Sequence, residues 1–202
     1  MIGADGYVLA ANPALGVHNI EELLKFARAR QAPLTSSSAG PGSLGQLMLE
    51  QLKRKAGLDI THVPAPNSGV MDVLGNHINM TMATLLAIGE QIKAGQVVAL
   101  AVTSTERNPA FKDIPTFAEQ GFPEIHGDTW FWLAGPKGLP ADIVDELNRE
   151  VRRILRLPHI RAYFERQALL SMDLSPAALA KFVAAEVAYW GALAKDVGLT
   201  VQ

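Results

Sequence analysis

Residues 35–43, Thr-Ser-Ser-Ser-Ala-Gly-Pro-Gly-Ser, are a run of small residues between an apolar segment and a helical pattern. A loop that leaves a strand and enters a helix presents free backbone N–H groups and the positive end of the helix dipole. The serine and threonine hydroxyls of the run add further hydrogen-bond donors. The segment therefore predicts a loop that receives an anion.

The loop matches neither of the common phosphate-binding types. It lacks the lysine of the Gly-Lys-Ser/Thr loop and the Gly-x-Gly-x-x-Gly spacing of dinucleotide-binding folds. Its composition consequently gives phosphate no advantage over carboxylate as the anion. A polar strand-to-helix turn that only caps its helix has the same composition, and this alternative stays open.

Other candidate groups give weaker indications of chemistry. The five histidines lack metal-ligand spacing and cysteine is absent, so the sequence predicts no metal site and no cofactor. His62 lies on a predicted strand, where a partly buried histidine bonded to the backbone is the commonest case. A serine hydrolase would need Ser36, Ser37 or Ser38 and a base that the sequence does not indicate. The sequence accordingly predicts no catalytic residue.

The elements that would position the loop follow an alternating order. Between residues 6 and 104, short apolar runs alternate with amphipathic stretches, which is typical of β–α units around a mostly parallel sheet. The unbroken apolar run 97–102 indicates a strand covered on both faces, and therefore a central one. Trp130 and Trp132 lie on a further predicted strand, where they either pack in the core or stack on a ligand. The predicted strands are 7–11, 34–37, 59–63, 78–83, 97–103 and 130–134.

The predicted helices begin and end at recognisable capping residues. Asn19 and Glu22 have the spacing of a capping box, and Gly57 suits a left-handed end to the helix that follows the loop. Ser175, followed by Pro176, predicts the start of a last amphipathic helix. These helices and strands together predict an α/β fold.

Composition and charge exclude several classes of protein. With 202 residues, 49% hydrophobic and 19% charged, the chain is an ordinary globular protein rather than a disordered, collagenous or disulfide-rich one. A net charge of -2 leaves no basic surplus for phosphates, which argues against a nucleic-acid partner. Residues 1–14 show no basic segment before a long apolar run, so the sequence predicts no signal peptide. No stretch approaches the roughly 20 uncharged apolar residues of a membrane span.

The order of these segments resembles the substrate-binding proteins of tripartite tricarboxylate transporters, the Bug-type periplasmic receptors. The resemblance implies an α/β fold like that of type II periplasmic binding proteins, with two lobes around a ligand. It also implies noncatalytic binding of a small carboxylate-bearing metabolite and delivery to a membrane permease from the periplasm. The segments that carry the resemblance are 19–29, 37–47, 62–64, 74–82, 93–104, 114–121 and 130–140.

The resemblance further implies how the chain is divided. Residues 1–126 would form one complete doubly wound lobe with the anion-receiving loop, and residues 127–202 the C-terminal share of the other lobe. The N-terminal share of that other lobe is absent from this sequence, so the apolar faces of the C-terminal helices would lack their usual cover. We therefore expect a homodimer through these helices, with a compact monomer as the alternative.

The family's ligand site can be carried over position by position. Residues 37–43 match the anion-receiving loop, and Gln46 stands where a histidine is common. Residues 65–67 are Ala-Pro-Asn in place of an aromatic residue, a basic residue and glycine. Two other functions remain open, a vestigial fragment that binds nothing and, third, a serine hydrolase. The implied ligand-binding residues are Ser37, Ser38, Gly40, Gly42, Ser43, Gln46, Pro66 and Asn67.

Overall fold

The computed structural model of the protein describes residues 1–198 and has a mixed α/β architecture, as the sequence predicts. The strands are β1 (Gly3–Ala11), β2 (Leu34–Ser38), β3 (Ile60–Pro64), β4 (Met80–Thr84), β5 (Val98–Val102), β6 (Asp128–Phe131) and β7 (Leu170–Ser171). The helices are α1 (Ile20–Arg28), α2 (Leu44–Ala56), α3 (Val70–Leu74), α4 (Leu85–Lys93), α5 (Ala141–Leu155), α6 (Pro158–Arg166) and α7 (Pro176–Asp196). Of these, α3, α6 and β7 have no counterpart among the elements predicted from the sequence.

The main sheet has the strand order β3-β2-β4-β1-β5. Strand β2 pairs in parallel with β3 and β4, whereas β1 pairs antiparallel with β4 and β5. Four of the strands therefore run in one direction and β1 runs against them. The predicted mostly parallel sheet is confirmed for those four strands. The sequence pattern did not predict that β1, which lies between β4 and β5, runs in the opposite direction.

The central position predicted for residues 97–102 is wrong, because β5 is the last strand of the order. Its outer edge is covered by an irregular segment instead: Val102 donates its N–H to the Pro115 carbonyl and accepts the N–H of Phe117, each at 2.9 Å. This cover leaves Leu100, Ala101 and Val102 buried. An unbroken apolar run indicates that a strand is buried, but not that it is central in the sheet. A loop that covers the edge of the sheet buries a strand just as a neighbouring strand would.

Side chains alternate across β1 and define two layers of core. Leu9 and Ala11 face a cluster that includes residues of α1 and α2, whereas Val8 and Ala10 face one that includes residues of α3 and α4. All nine residues of β1 are buried, Gly3–Ala11. Both faces of the sheet are therefore covered by helices.

The predicted helix caps are confirmed. The Asn19 side chain accepts the Glu22 N–H at 2.8 Å, while Glu22 Oε2 accepts the N–H of His18. Gly57 ends α2 in the left-handed conformation, with φ of 63°. Ser175 caps α7 by accepting the Ala178 N–H at 3.2 Å.

Strand β1 is long enough to join two groups of strands. Its second half lies in the main sheet, while its residues 3–6 pair antiparallel with β6 and residues 3–4 also pair with β7. The strand predicted at 130–134 begins two residues earlier, at Asp128, because it follows this pairing with β1. The division of the chain at residue 126 stays a prediction, since β1 contributes to both groups of strands.

Helices α5, α6 and α7 are the least covered part of the chain. Ile143, Leu147 and Val187 are 41%, 43% and 67% exposed, although the sequence pattern places the first two on an apolar face. By length and composition α7 is able to cross a membrane, but it carries Lys181 and Glu186 within its span. Its C-terminal end binds the rest of the chain, where Arg54 pairs with Asp196 at 2.8 Å.

Where β1 passes from one group of strands to the other, it carries a buried carboxyl group. Asp5 is 1% exposed, and its Oδ1 accepts the Leu86 N–H at the start of α4 at 3.2 Å. Burial raises the pKa of Asp5 to about 6, and the neighbouring Asp128 charge adds to the rise, while hydrogen bonds from Thr84 and Leu86 oppose it. Folding at neutral pH therefore buries a charge that has no cationic partner among residues 1–198.

We predict that Asp5→Asn stabilises the protein at pH 8 but not at pH 4. Near pH 4 and below, Asp5 is protonated in the folded chain, so the charge costs nothing there. As the pH rises from about 4 to about 6, Asp5 loses its proton in the unfolded chain but keeps it in the folded one, because its pKa is higher in the folded protein. The free energy of unfolding therefore falls over this range by up to about 3 kcal/mol. Asparagine removes this loss and can still accept the Leu86 N–H.

Chemical denaturation at both pH values measures the effect, with the exposed Asp113→Asn as the matched control. Equal unfolding free energies of Asp5→Asn and the unsubstituted protein at pH 8 would contradict the prediction.

Candidate functional site

The predicted anion loop lies where the parallel strands of the main sheet end. Strands β2, β3 and β4 run side by side, so the connections that follow them meet at one edge of the sheet. Ligands of open α/β sheets bind at this carboxyl edge. The loop 39–43 follows β2, and its residues Pro41 and Gly42 are exposed.

Ser43 begins α2 and leaves the first helical N–H groups available. Its hydroxyl accepts the Gln46 N–H at 3.3 Å, and the Gln46 side chain turns back to accept the Gly42 N–H at 2.7 Å. Within residues 1–198, the N–H groups of Ala39, Leu44 and Gly45 have no acceptor. The donors of Leu44 and Gly45 lie at the positive end of a 13-residue helix, which favours a negatively charged group nearby.

Ser37 and Ser38 lie beneath the loop and not on its surface. Both are completely buried. The Ser37 hydroxyl donates to the Ser68 carbonyl at 2.6 Å, while Ser38 Oγ lies 3.1 Å from Ser43 Oγ and 3.4 Å from the Gly40 N–H. In this structure the two serines therefore hold the loop in place, and only residues 39–43 form its exposed surface.

Ser38 also forms a hydrogen bond with a histidine that the sequence did not connect to it. His62 Nε2 lies 2.7 Å from Ser38 Oγ, so the predicted backbone partner of this histidine is replaced by a side chain. Burial lowers the pKa of the His62 imidazole, which favours its neutral form. A serine and a histidine at this distance resemble the start of a hydrolytic pair, but the buried Ser38 hydroxyl has no access to a substrate.

The second group of predicted residues lies on the neighbouring connection. Pro66 and Asn67 are exposed, and they follow β3 directly beside the end of β2, where Ser38 pairs with Pro64. Asn67 and Ser68 have φ values of 48° and 57°, and Gly69 continues with 66°. A Cβ on Gly69 would lie 2.5 Å from Ser37 Oγ, so this turn fits only a glycine there. Of the eight predicted residues, five lie on these two adjacent connections: Gly40, Gly42, Ser43, Pro66 and Asn67. Ser37 and Ser38 end β2, and Gln46 lies in the first turn of α2.

Sequence reasoning missed the polar residues where β1 meets β6. The Thr129 hydroxyl donates to Tyr7 Oη at 3.1 Å, and Thr103 Oγ1 donates to the Gly127 carbonyl at 2.6 Å. Asp128 has a buried Oδ1 that has no hydrogen-bond partner within residues 1–198. Asp128, Thr129 and Gly42 line one cavity of about 340 Å³, which joins β6 to the predicted loop. An aspartate beside an aromatic run was the only signal in the sequence.

Comparison with known proteins shows which family the chain resembles. Residues 1–199 match the tripartite tricarboxylate transporter family receptor, TctC. The chain is 29% identical to the protein BugT of Bordetella pertussis over all of its own length and 63% of that protein. It is 30% identical to a UPF0065 protein of Pseudomonas sp. strain P51, with 91% of this chain and 56% of that protein covered. The chain thus spans about 60% of the length of these relatives.

Solved structures show the same fold over nearly the whole chain. R. palustris Rpa4515 with adipate has a TM-score of 0.87 and 29% identity, and covers 98% of this chain and 67% of its own. A periplasmic transporter has a TM-score of 0.89 with 27% identity, and the periplasmic binding protein BugD has 0.81 with 26%. They cover 100% of this chain and 68% and 70% of their own. The predicted fold, that of part of a periplasmic binding protein, is confirmed. By sequence and by fold, the chain belongs to the tripartite tricarboxylate transporter receptor family.

Proposed function

We propose that the protein is a noncatalytic solute receptor that binds a small organic carboxylate at the β2–α2 loop. The observation that carries this proposal is the set of N–H groups without an acceptor within residues 1–198, those of Ala39 on the exposed loop and of Leu44 and Gly45 in the first turn of α2. Neutral donors at a helix N-terminus suit a carboxylate, and residues 35–43 contain no lysine or arginine. A family neighbour that was solved with adipate supports the same class of ligand.

The proposed receptor delivers its ligand to a membrane permease of the tripartite tricarboxylate type, and does so in the periplasm. The family's description and the periplasmic proteins among its structural neighbours support both points. The ligand-binding role of Ser37, Ser38, Gly40, Gly42, Ser43, Gln46, Pro66 and Asn67 is part of this proposal. Gly42, Ser43 and their neighbours would contact the carboxylate, while Ser37 and Ser38 act as positioning residues.

We predict that Ser38→Ala weakens carboxylate binding by about tenfold. The variant removes the hydroxyl that forms hydrogen bonds with His62, Ser43 and the Gly40 N–H, so the loop is no longer held in one conformation. A hydrogen bond between uncharged groups contributes about 0.5 to 1.5 kcal/mol, so the loss of one or two of these loop contacts corresponds to a change of about tenfold. A thermal-shift screen of dicarboxylates, acidic amino acids and aromatic acids selects the ligand, and calorimetry then measures its affinity.

Ser36→Ala is the matched control for this experiment. Ser36 lies two residues earlier on β2 and is equally buried, but its hydroxyl has no hydrogen-bond partner within residues 1–198. Its loss should leave the affinity within about twofold, because no contact is broken. Equal affinities of the two variants would remove the loop from the site, and a screen without any response would favour the vestigial fragment.

We also propose that the uncovered faces of the C-terminal helices pair two copies of the chain. Met1, Ile2, Leu133 and residues of α5 line an apolar cavity of about 290 Å³, and Leu133 and Leu147 are 56% and 43% exposed. A second copy presents an equally apolar face and can bury it by a two-fold arrangement.

Light scattering at micromolar concentration should accordingly give about twice the chain mass of 21.7 kDa. Leu147→Glu should return the particle to the monomer mass, since it places a charge in the apolar contact. Met71→Glu is the control, because Met71 is 74% exposed on α3, outside the C-terminal helices. A single species at the monomer mass for the unsubstituted chain would refute the dimer.

A further inference from the structure

Three large aliphatic side chains form an exposed row along α5. Ile143, Leu147 and Ile154 are 41%, 43% and 42% exposed. At about 3.6 residues per turn, the three positions lie within about 40° of one another around the helix axis. Leu147 also lines the apolar cavity of about 290 Å³, together with Val151 and Leu133. A partner lying along α5 would therefore cover one continuous apolar surface.

The charges of α5 are divided between its two ends. Residues 142–146 include three acidic residues and no basic one, whereas residues 149–156 include four arginines and one acidic residue. This division matches the dipole of the helix itself. It also makes α5 complementary to a second α5 that runs in the opposite direction, because each acidic end then faces a basic end. Two helices that run in the same direction would bring like charges together.

The apolar row and the charge pattern share one centre. The midpoint of Ile143 and Ile154 lies between residues 148 and 149, and the acidic end changes to the basic end between residues 146 and 149. A two-fold axis at this point places Ile143 of one copy beside Ile154 of the other, and it makes the same contact twice. An antiparallel pair therefore satisfies the apolar row and the charges in a single register.

Glu146 and Arg153 are the charged residues beside the row that an antiparallel neighbour would bring together. They lie on the same edge of the row, within about 20° of each other around the helix axis. Their side chains are 67% and 61% exposed, although each forms an ion pair along its own helix, with Arg149 at 4.0 Å and Glu150 at 2.8 Å respectively. Both side chains are therefore open to a neighbouring copy.

We propose that two copies of the chain pair through α5, with the two helices side by side and antiparallel about a two-fold axis near the middle of the helix. This inference rests on the proposed function, because it starts from the pairing of two copies through the C-terminal helices. It adds the direction of the helices and two pairs of residues that meet between the copies. Ile143 meets Ile154 in the apolar row, and Glu146 meets Arg153 at its edge.

Cysteine cross-linking tests the direction of the helices, since the chain has no cysteine of its own. Ile143→Cys and Ile154→Cys are mixed in equal amounts under reducing conditions and then treated with oxidised glutathione. The mixture should form a disulfide-linked dimer, because antiparallel pairing puts the two positions side by side. Neither variant alone should cross-link, since its two cysteines would lie about 16 Å apart and a disulfide needs Cα atoms within about 7 Å. A cross-link in either variant alone, or none in the mixture, overturns the antiparallel pair.

Charge reversal tests the ionic contacts, with the dissociation constant of the dimer measured by sedimentation. Glu146→Arg and Arg153→Glu should each weaken the dimer by about tenfold, because each replaces two attractive contacts across the axis by two repulsive ones. The double variant should return the constant to within about threefold of the unsubstituted chain. It keeps both local changes within the helix, so its recovery can come only from the contact between copies.

Asp145→Arg is the matched control, because Asp145 is exposed on the side of α5 opposite to the apolar row, and it should leave the dimer unchanged. Single reversals without effect, or a double variant as weak as the single ones, overturn this inference and leave the pairing of two copies standing. A monomeric unsubstituted chain overturns both the antiparallel pair and the proposed dimer.

Discussion

The hydrogen bonding of β1 is the constraint on which the rest of the structure depends. One strand of nine residues pairs with β4 and β5 through its second half and with β6 and β7 through its first. Since every residue of the strand is buried, each backbone N–H and C=O must find a partner inside the protein. Helices on both faces and strands on both edges provide this, and they fix where the chain can turn.

The position of the candidate site follows from that arrangement. Because β1 runs against its neighbours, its first residues lie at the edge where β2, β3 and β4 end. The anion loop, the connection with Pro66 and Asn67, and the acidic residues Asp5 and Asp128 are therefore near one another, although they are far apart in sequence. Gly42 of the anion loop and Asp128 of β6 line the same cavity.

Local patterns in the sequence predicted the parts of the fold that local chemistry determines. The capping box of Asn19 and Glu22, the left-handed Gly57 and the Ser175 cap each depend on residues within one turn of each other. The β2–α2 loop was predicted for the same reason. The reversed direction of β1 and the edge position of β5 depend on pairing between distant segments, which apolar periodicity does not report.

In the candidate site, too, the sequence predicted the features that depend on neighbouring residues and missed the contacts between distant segments. Serine composition indicated the loop, but it did not separate Ser43, which caps α2, from Ser37 and Ser38, which lie beneath it. The contact of Ser38 with His62 and the place of Asp128 beside Gly42 arise only when strands from different parts of the chain pair. Resemblance to a family supplied the ligand class, which no single motif in the chain specifies.

The shared strand has a further consequence for how the protein comes apart. If β1 belonged to only one of the two groups of strands, the other group could unfold locally while the rest of the protein stayed folded. Here the loss of β6 and β7 exposes the first residues of β1, whose continuation is the core of the main sheet. The two groups of strands are thus coupled through one backbone, and we expect the amides of β1 to be among the slowest of residues 1–198 to exchange with solvent.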